Sequence, residues 1–325
     1  MQVCAFPPFR SPVPGLENGV FVCPDSRHHD EMDDQTQLNT LNRVARLDGW
    51  RAGVSAAHGS DWLKYVDNPQ RLIFLPLLPL GPNDAILEIG PGLGQICTAI
   101  ARRVATVDAL EVVRGQAEFC AERCRQEGIE NVRITGGGDD CELPYGDASF
   151  DGVILNLVLE WCAWRADGSH VEMHRKLLAE IARVLKPNGF FYIATKNRFS
   201  LRLLTGGRDE HMFRMPFGSA LPRWLSRLVL AGRRPPGHLH SYLGLRALLR
   251  SAGFDRIDSY WATPEMRWPT HMVPFETREF ARQRRKVPQG ESRRTAAIAA
   301  LLPGFMLRHV APGLAFVARK KGAAV

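Results

Sequence analysis

Ala85-Ile86-Leu87-Glu88-Ile89-Gly90-Pro91-Gly92-Leu93-Gly94-Gln95 reads as a short apolar strand, a glycine-punctuated turn and the start of a helix. Glycine permits left-handed backbone angles and close approach to a ligand, and the first turn of the following helix offers free N–H groups. The spacing is GxGxG followed by Gln95, so the third glycine of the dinucleotide pattern GxGxxG is absent and nicotinamide binding loses ground. Taken alone, the turn is equally compatible with tight packing.

Outward from this turn, short apolar runs alternate with amphipathic segments of ten to fifteen residues, the signature of βα units and a parallel sheet. Strands are predicted at 85–90, 105–111, 131–135, 150–156 and 190–196, and helices at 94–103, 114–127 and 168–185. Lys186-Pro187-Asn188-Gly189 reads as a helix stop followed by a turn. A helix at 243–252 and strands at 255–261 and 314–319 complete about seven strands in one doubly wound α/β domain over 83–325. Residues 41–82 repeat apolar positions at helical spacing, with Trp62, Tyr65 and Leu72 among them, and predict N-terminal helices. Residues 1–40, with Pro7, Pro8, Pro12, Pro14, Pro24 and an acidic stretch from Asp30 to Asp34, predict an irregular arm.

At 325 residues, 45% hydrophobic and 23% charged, the chain excludes disordered and fibrous classes, and its length supports a core without metal or disulfide. The seven cysteines (4, 23, 97, 120, 124, 141, 162) form no CxxC pair and read as reduced thiols of a cytoplasmic protein. Cys120 and Cys124 lie one helical turn apart, but two sulfurs do not make a zinc site. His170 and His174 are spaced for a helix face, yet Val171 stands where an HExxH site needs glutamate, so no metal is expected. The N-terminus lacks the basic and apolar segments of a secretory signal. The longest apolar stretch, Ala296 to Leu307, is interrupted by Pro303 and Gly304 and is too short to span a bilayer.

Charge is unevenly distributed. Residues 1–82 carry 7 Lys+Arg against 9 Asp+Glu, residues 83–197 carry 12 against 17, and residues 198–325 carry 23 against 8. The strongly basic last third points to an anionic partner, or else to a solvated arginine-rich face.

Two further elements follow the glycine turn in order. Glu111 ends the next strand about twenty residues downstream, where a carboxylate can accept hydrogen bonds from both hydroxyls of a ribose. Gly138-Asp139-Asp140-Cys141-Glu142-Leu143-Pro144 then precedes Ser149-Phe150-Asp151 at the opening of another strand. Together these segments resemble the class I S-adenosylmethionine-dependent methyltransferases, in particular the ubiquinone and menaquinone methyltransferase-like group with its GD, LP and SFD pattern. The resemblance runs from about Ala85 to Lys196, with the closing GLAFVARK strand added.

That resemblance implies a Rossmann-like, seven-stranded doubly wound sheet of order 3-2-1-4-5-7-6 with the last strand antiparallel. It implies S-adenosyl-L-methionine as cofactor. Glu88, Gly90, Gly92 and Gly94 would pass beneath the methionine and ribose portions, and Glu111 would hold the ribose hydroxyls. Asp139, with Asp140 beside it, would meet the adenine, and Asn156 with Leu157 would flank the methionine portion. Outside this core, Asn197-Arg198-Phe199-Ser200-Leu201, Asp209-Glu210-His211, His240-Ser241-Tyr242 and Pro264-Glu265-Met266-Arg267-Trp268-Pro269 are similar to a bacterial subgroup associated with polysaccharide and glycolipid assembly.

In an open α/β sheet, ligands bind beyond the carboxyl ends of the strands. Inserts at 197–240 and 262–312 leave those ends after the fifth and sixth strands and are expected to build the acceptor pocket. His211 is the first candidate for a general base, with Asp209 or Glu210 to orient its ring. His240 and Tyr242 are the second candidates, and Arg267 is a candidate for binding an acceptor phosphate or carboxylate. The segment 221–234, with Trp224, Leu225 and Leu228 opposite arginines, reads as a lid helix or as a peripheral contact with the inner face of a membrane. The run 282–286 is basic but carries no interleaved aromatics and no nucleic-acid module, which disfavours nucleic acid.

The expected function is methyl transfer to a small-molecule, saccharide or lipid-linked acceptor at oxygen. The alternatives are an RNA or protein methyltransferase and a non-catalytic cofactor-binding assembly partner.

Overall fold

The computed structural model describes residues 5–24, 26, 34–163, 168–231, 233–275, 280–283, 285–286 and 292–322. Asp30 to Asp33, Arg284 and the side chains of Arg223 and Arg227 lie outside the described residues.

The chain begins with a hairpin of β1 (Gly15–Glu17) and β2 (Val20–Val22), followed by helices α1 (Gln35–Asp48), α2 (Trp50–His58) and α3 (Asp61–Val66). The βα region follows as β3 (Ala85–Ile89), α4 (Gln95–Ala101), β4 (Thr106–Glu111), α5 (Arg114–Gln126), β5 (Val132–Gly136), β6 (Phe150–Asn156), α6 (His170–Val184) and β7 (Leu185–Lys196). The first insert holds α7 (Leu201–Leu204), a two-stranded piece of β8 (Arg208–Asp209) and β9 (Met215–Pro216), and α8 (Arg223–Val229). Then come α9 (Tyr242–Ser251), β10 (Phe254–Thr263), β11 (His271–Pro274), α10 (Phe280–Gln283), α11 (Arg293–Leu301), α12 (Gly304–Val310) and β12 (Gly313–Lys320).

The main sheet runs β1-β2-β5-β4-β3-β6-β7-β12-β10-β11. Counted from β3, its central strands lie in the order 3-2-1-4-5-7-6, and β12 is antiparallel to both of its neighbours. From β3 the chain moves to one side through β4 and β5, then crosses to β6 on the other. That reversal opens a crevice at the carboxyl ends of β3 and β6.

The sheet is buried on both faces because alternate side chains of each strand point to opposite layers. Leu87, Val153, Leu155 and Phe191 pack towards α6 and α9. Ile86, Val107, Ile154 and Tyr192 pack towards α4 and α5. Helix α6 starts at a capping box, with Ser169 and Glu172 each satisfying the other's backbone N–H, and buries Met173, Leu177, Leu178, Ile181 and Val184 along one face. Each such side chain contributes about 1.5–3 kcal/mol through burial.

Three expectations change. Among the described residues the sheet has ten strands rather than about seven, because β11 pairs with the end of β10 and the N-terminal hairpin adds a second edge. The arm is therefore not irregular throughout. Asn18 and Gly19 both adopt left-handed angles (φ 50° and 80°), the geometry of a tight hairpin turn, and Phe21 and Val22 pair in parallel with Thr135 and Gly136. Arg133 fastens the arm by donating to the Pro7 carbonyl at 2.6 Å while holding Asp108 at 2.6 Å and lying 4.0 Å from the Phe9 ring centre. Finally, β7 starts at Leu185 rather than 190, since Leu185 already pairs with Phe150, and Lys186–Gly189, with Asn188 left-handed at φ 65°, bulges out at a register shift before Phe190 pairs with Gly152.

Candidate functional site

The glycine turn between β3 and α4 is held open by its backbone angles. Gly90, Gly92 and Gly94 have φ of 72°, 54° and 77°. A Cβ on Gly90 would stand 2.5 Å from Val158 Cγ2, and one on Gly94 would stand 2.8 Å from Cys120 Sγ. At Gly92 the nearest neighbour, Gln116 Oε1, would be 3.6 Å away, an ordinary van der Waals contact, so the middle of the turn is less crowded than its ends.

Glu111, at the carboxyl end of β4, braces this turn. Its Oε2 accepts from Gly92 N at 2.9 Å and its Oε1 from Val113 N at 3.0 Å. A carboxylate oxygen can accept more than one hydrogen bond, as a ribose hydroxyl would require. Glu88 is almost fully buried within β3. Burial, reinforced by the nearby Glu111 charge and opposed by Arg71, pushes its carboxyl up to about 8. Glu88 Oε2 and Arg71 Nη1 are both sealed from solvent with no hydrogen-bond partner. A buried acid and a half-buried guanidinium, stacked on Tyr65 with one N–H group unpaired, match the ammonium and carboxylate of an amino-acid group.

Asp139 and Asp140 follow β5 on a loop whose Gly138 has φ 86°. They line a cavity of about 110 Å³ closed from the other side by Arg10, Pro12 and Cys23 of the arm. Asp140 Oδ1 accepts from Glu142 N at 2.9 Å, which shapes this loop. Asn156 ends β6, and Leu157 turns the chain at φ 61° so that Val158 meets Gly90. Every residue assigned to the cofactor from sequence thus lies at or near the carboxyl edge around β3, β4, β5 and β6.

A second cavity, of about 150 Å³, lies beyond the end of β7 between the two inserts. Lys196, Asp209, Glu210, His211, Met266 and Arg267 line it. Met266 and Arg267 also line a small space shared with Asn156 and Arg71, so the same two residues face both this cavity and the end of β6.

His211 is 2% exposed and rests against the Trp161 ring, 4.6 Å between centres. Its Nδ1 is 3.1 Å from Asp209 Oδ1, and its Nε2 is buried without a hydrogen-bond partner, 3.9 Å from Glu210 Oε1. Asp209 is itself fixed by the N–H groups of His211 and Ser219 at 3.0 and 2.7 Å. Burial alone would raise the Asp209 carboxyl, but the hydrogen bonds from His211 and Ser219 outweigh it and hold the group low. An ionised Asp209 favours the tautomer with hydrogen on Nδ1, leaving the Nε2 lone pair as acceptor.

Lys196 contacts Glu210, and Arg267 Nη2 lies 3.7 Å from the same carboxylate. Burial, with the Arg267 charge, pulls the Lys196 ammonium down to about 8, against the pull of its acidic neighbours.

His240 and Tyr242 are not brought to this cavity. His240 Nε2 lies 2.7 Å from His174 Nδ1, in a cluster with His170 and His238 behind the insert. The Tyr242 hydroxyl is buried on the sheet between Ser259 at 3.1 Å and the Arg246 guanidinium at 2.9 Å. His240 closes the first insert, bridged to Asn197, and Tyr242 opens α9, and both side chains are buried in the core. Sequence reading missed Lys196, Trp161 and Arg71. Lys196 was legible as the last residue of a strand ending at the ligand edge, whereas nothing local marks Arg71 or Trp161.

A glycine turn braced by Glu111 at the switch point of a doubly wound sheet, beside a separate polar cavity, defines a Rossmann-like ligand-binding domain. Comparison with known proteins makes this specific: residues 87–193 match the methyltransferase domain family, and the chain carries a class I S-adenosylmethionine-dependent methyltransferase domain. It is 31% identical over 164 residues to the biotin biosynthesis bifunctional protein BioHC of Cellvibrio japonicus, covering 50% of this chain and 28% of that protein. It is 32% identical to methyltransferase GfsG of Streptomyces halstedii, covering 36% and 39% of the two chains. It is 34% identical to a phthiotriol/phenolphthiotriol dimycocerosates methyltransferase of Mycobacterium tuberculosis, covering 33% and 35%. The chain thus spans well under half the length of these relatives. The crystal structure of the [4+2]-cyclase SpnF shares the fold, with a TM-score of 0.50 and 20% identity over 94% of this chain and all of that one. No helix among the described residues is long and apolar enough to cross a membrane.

Proposed function

We propose that the chain methylates a hydroxyl of a small-molecule, saccharide or lipid-linked acceptor, with His211 as general base and Asp209 as its orienting partner. S-adenosylmethionine supplies an electrophilic methyl group. Gly90, Gly92 and Gly94 leave room for it, Glu111 offers acceptors to its ribose, and Glu88 with Arg71 offers charges to its amino-acid end. A neutral alcohol is a poor nucleophile, so removal of its proton during attack is the step the protein must provide. His211 Nε2 takes that proton, and Asp209 stabilises the resulting imidazolium through Nδ1–H. Lys196 and Arg267, which line the same cavity with Arg202, suit an acceptor bearing a phosphate or carboxylate. Trp161 and the buried wall around His211 keep bulk water from competing.

The Asp209–His211 pair on a cavity beyond the end of β7, whose wall residues Met266 and Arg267 also face Asn156, is the observation that carries this reading. Its test is His211→Asn, with methyl incorporation into acceptor and cofactor affinity measured separately. Turnover lost with affinity retained supports the base. Turnover retained removes it.

A further inference from the structure

The insert between β7 and α9 presents large apolar side chains to solvent among arginines. On α8, Trp224, Leu228 and Val229 are 65%, 69% and 55% exposed, and in the turn before it Phe213 and Phe217 are 42% and 44% exposed. Trp224 and Leu228 are four residues apart and share one helix face. The Arg233 guanidinium lies 4.5 Å from the Phe213 ring centre, which ties that turn to the chain leaving α8. Arg208, Arg214, Arg233 and Arg234 are exposed around these groups. Residues 197–240 hold eight arginines against two acids, Asp209 and Glu210. Asp209 is buried and Glu210 is engaged by Lys196, so neither offsets the basic surface.

Backbone conformation adds a second observation. Phe213, Arg214 and Phe217 sit in the left-handed region at φ 52°, 60° and 60°. Bulky residues avoid that region, and here it places two phenyl rings at the surface, each still more than two-fifths exposed.

We propose that this surface docks on an anionic phospholipid bilayer. Trp224, Leu228, Val229 and the two phenylalanines would enter the headgroup and acyl boundary, and the arginines would meet lipid phosphates. The charge pattern selects this occupant. A second copy of the chain would bring like arginines together, and nucleic acid would use the arginines while leaving Leu228 and Val229 in water. Behind α8 lies a cavity of about 540 Å³, with Met212, Leu221 and Leu230 on one part of its wall and Arg198, Arg233 and His238 on another. Its Gly237 packs against the His211 ring, since a Cβ there would stand 2.9 Å from His211 Cδ2. An acceptor with an acyl or prenyl tail and a phosphate would thus find both chemistries beside the proposed base. This deepens the proposed acceptor reading and rests on it for its purpose, but docking itself is measurable without turnover.

The test is co-sedimentation of the full chain with phosphatidylcholine vesicles and with phosphatidylcholine/phosphatidylglycerol vesicles. Trp224→Glu/Leu228→Glu is the variant, its fold checked by circular dichroism. The expected result is binding only to the anionic vesicles, lost at high salt and reduced by at least about tenfold in the variant. His211→Asn should bind vesicles as the wild type does, which separates failure of docking from failure of the proposed chemistry. Wild-type protein that stays in the supernatant with anionic vesicles overturns the proposal. So does a variant that binds as wild type, or sedimentation velocity showing that the substitutions merely dissociate a dimer.

Discussion

Replacing Glu88 by glutamine should change how stability depends on pH. The wild-type carboxyl stands at about 8 in the folded protein, against 4.5 for the unperturbed group, because burial disfavours the charged form. A raised carboxyl favours the folded state fully when protonated, and that contribution is lost as pH climbs from about 4.5 towards 8. Between pH 5.5 and pH 8.5 the wild-type protein should therefore lose about 3 kcal/mol relative to Glu88→Gln. Glutamine carries its own constant cost for a buried amide, about 1–3 kcal/mol, which shifts the whole curve without tilting it. Urea unfolding of the ligand-free proteins at half-unit pH intervals measures the tilt. Parallel curves would refute the placement of Glu88 as a buried, protonated acid. Saturating S-adenosylmethionine should flatten the wild-type curve, because its ammonium stabilises the ionised carboxyl, so apparent cofactor affinity should rise with pH up to about 8.

Gly90→Ala forces a Cβ into Val158 at 2.5 Å on a backbone at φ 72°. It should cost about 2–4 kcal/mol in unfolding experiments, and adding Val158→Ala should recover the clash but not the backbone part. Glu111→Ala frees the Gly92 and Val113 N–H groups and should weaken cofactor binding about ten- to a hundredfold by calorimetry; unchanged affinity would remove Glu111 from the site. Asp209→Asn can no longer stabilise the His211 imidazolium and should lower methyl transfer at least about a hundredfold with cofactor affinity intact. Equal losses in rate and cofactor binding would instead mark a structural role.

The cofactor half of the molecule was legible because its signals are local. Gly90, Gly92 and Gly94 must be glycine where φ is positive, and Glu111 follows one βα unit later, so chain order alone carries the arrangement. The acceptor half depends on contacts between distant segments. Asp209 and His211 are near neighbours and were read together, whereas Lys196, Trp161 and Arg267 meet them only through the fold. His240 and Tyr242 looked equally reactive in sequence, yet His240, just before α9, meets His174, and Tyr242, at its start, meets Ser259. The N-terminal hairpin illustrates the opposite error. Asn18-Gly19 is a strong short-range turn signal, but the proline-rich surroundings obscured it and the arm was read as irregular.

The central claim is that methyl transfer occurs at the His211 cavity on an enclosed, non-macromolecular acceptor. Methyl-labelled S-adenosylmethionine incubated with a host-cell lysate and either wild-type protein or His211→Ala, followed by separation of lipid, small aqueous, RNA and protein fractions, tests it most directly. The account predicts label in the lipid or small-molecule fraction with the wild type and its loss with the variant. Label in RNA or protein, or equal label from both proteins, would contradict it.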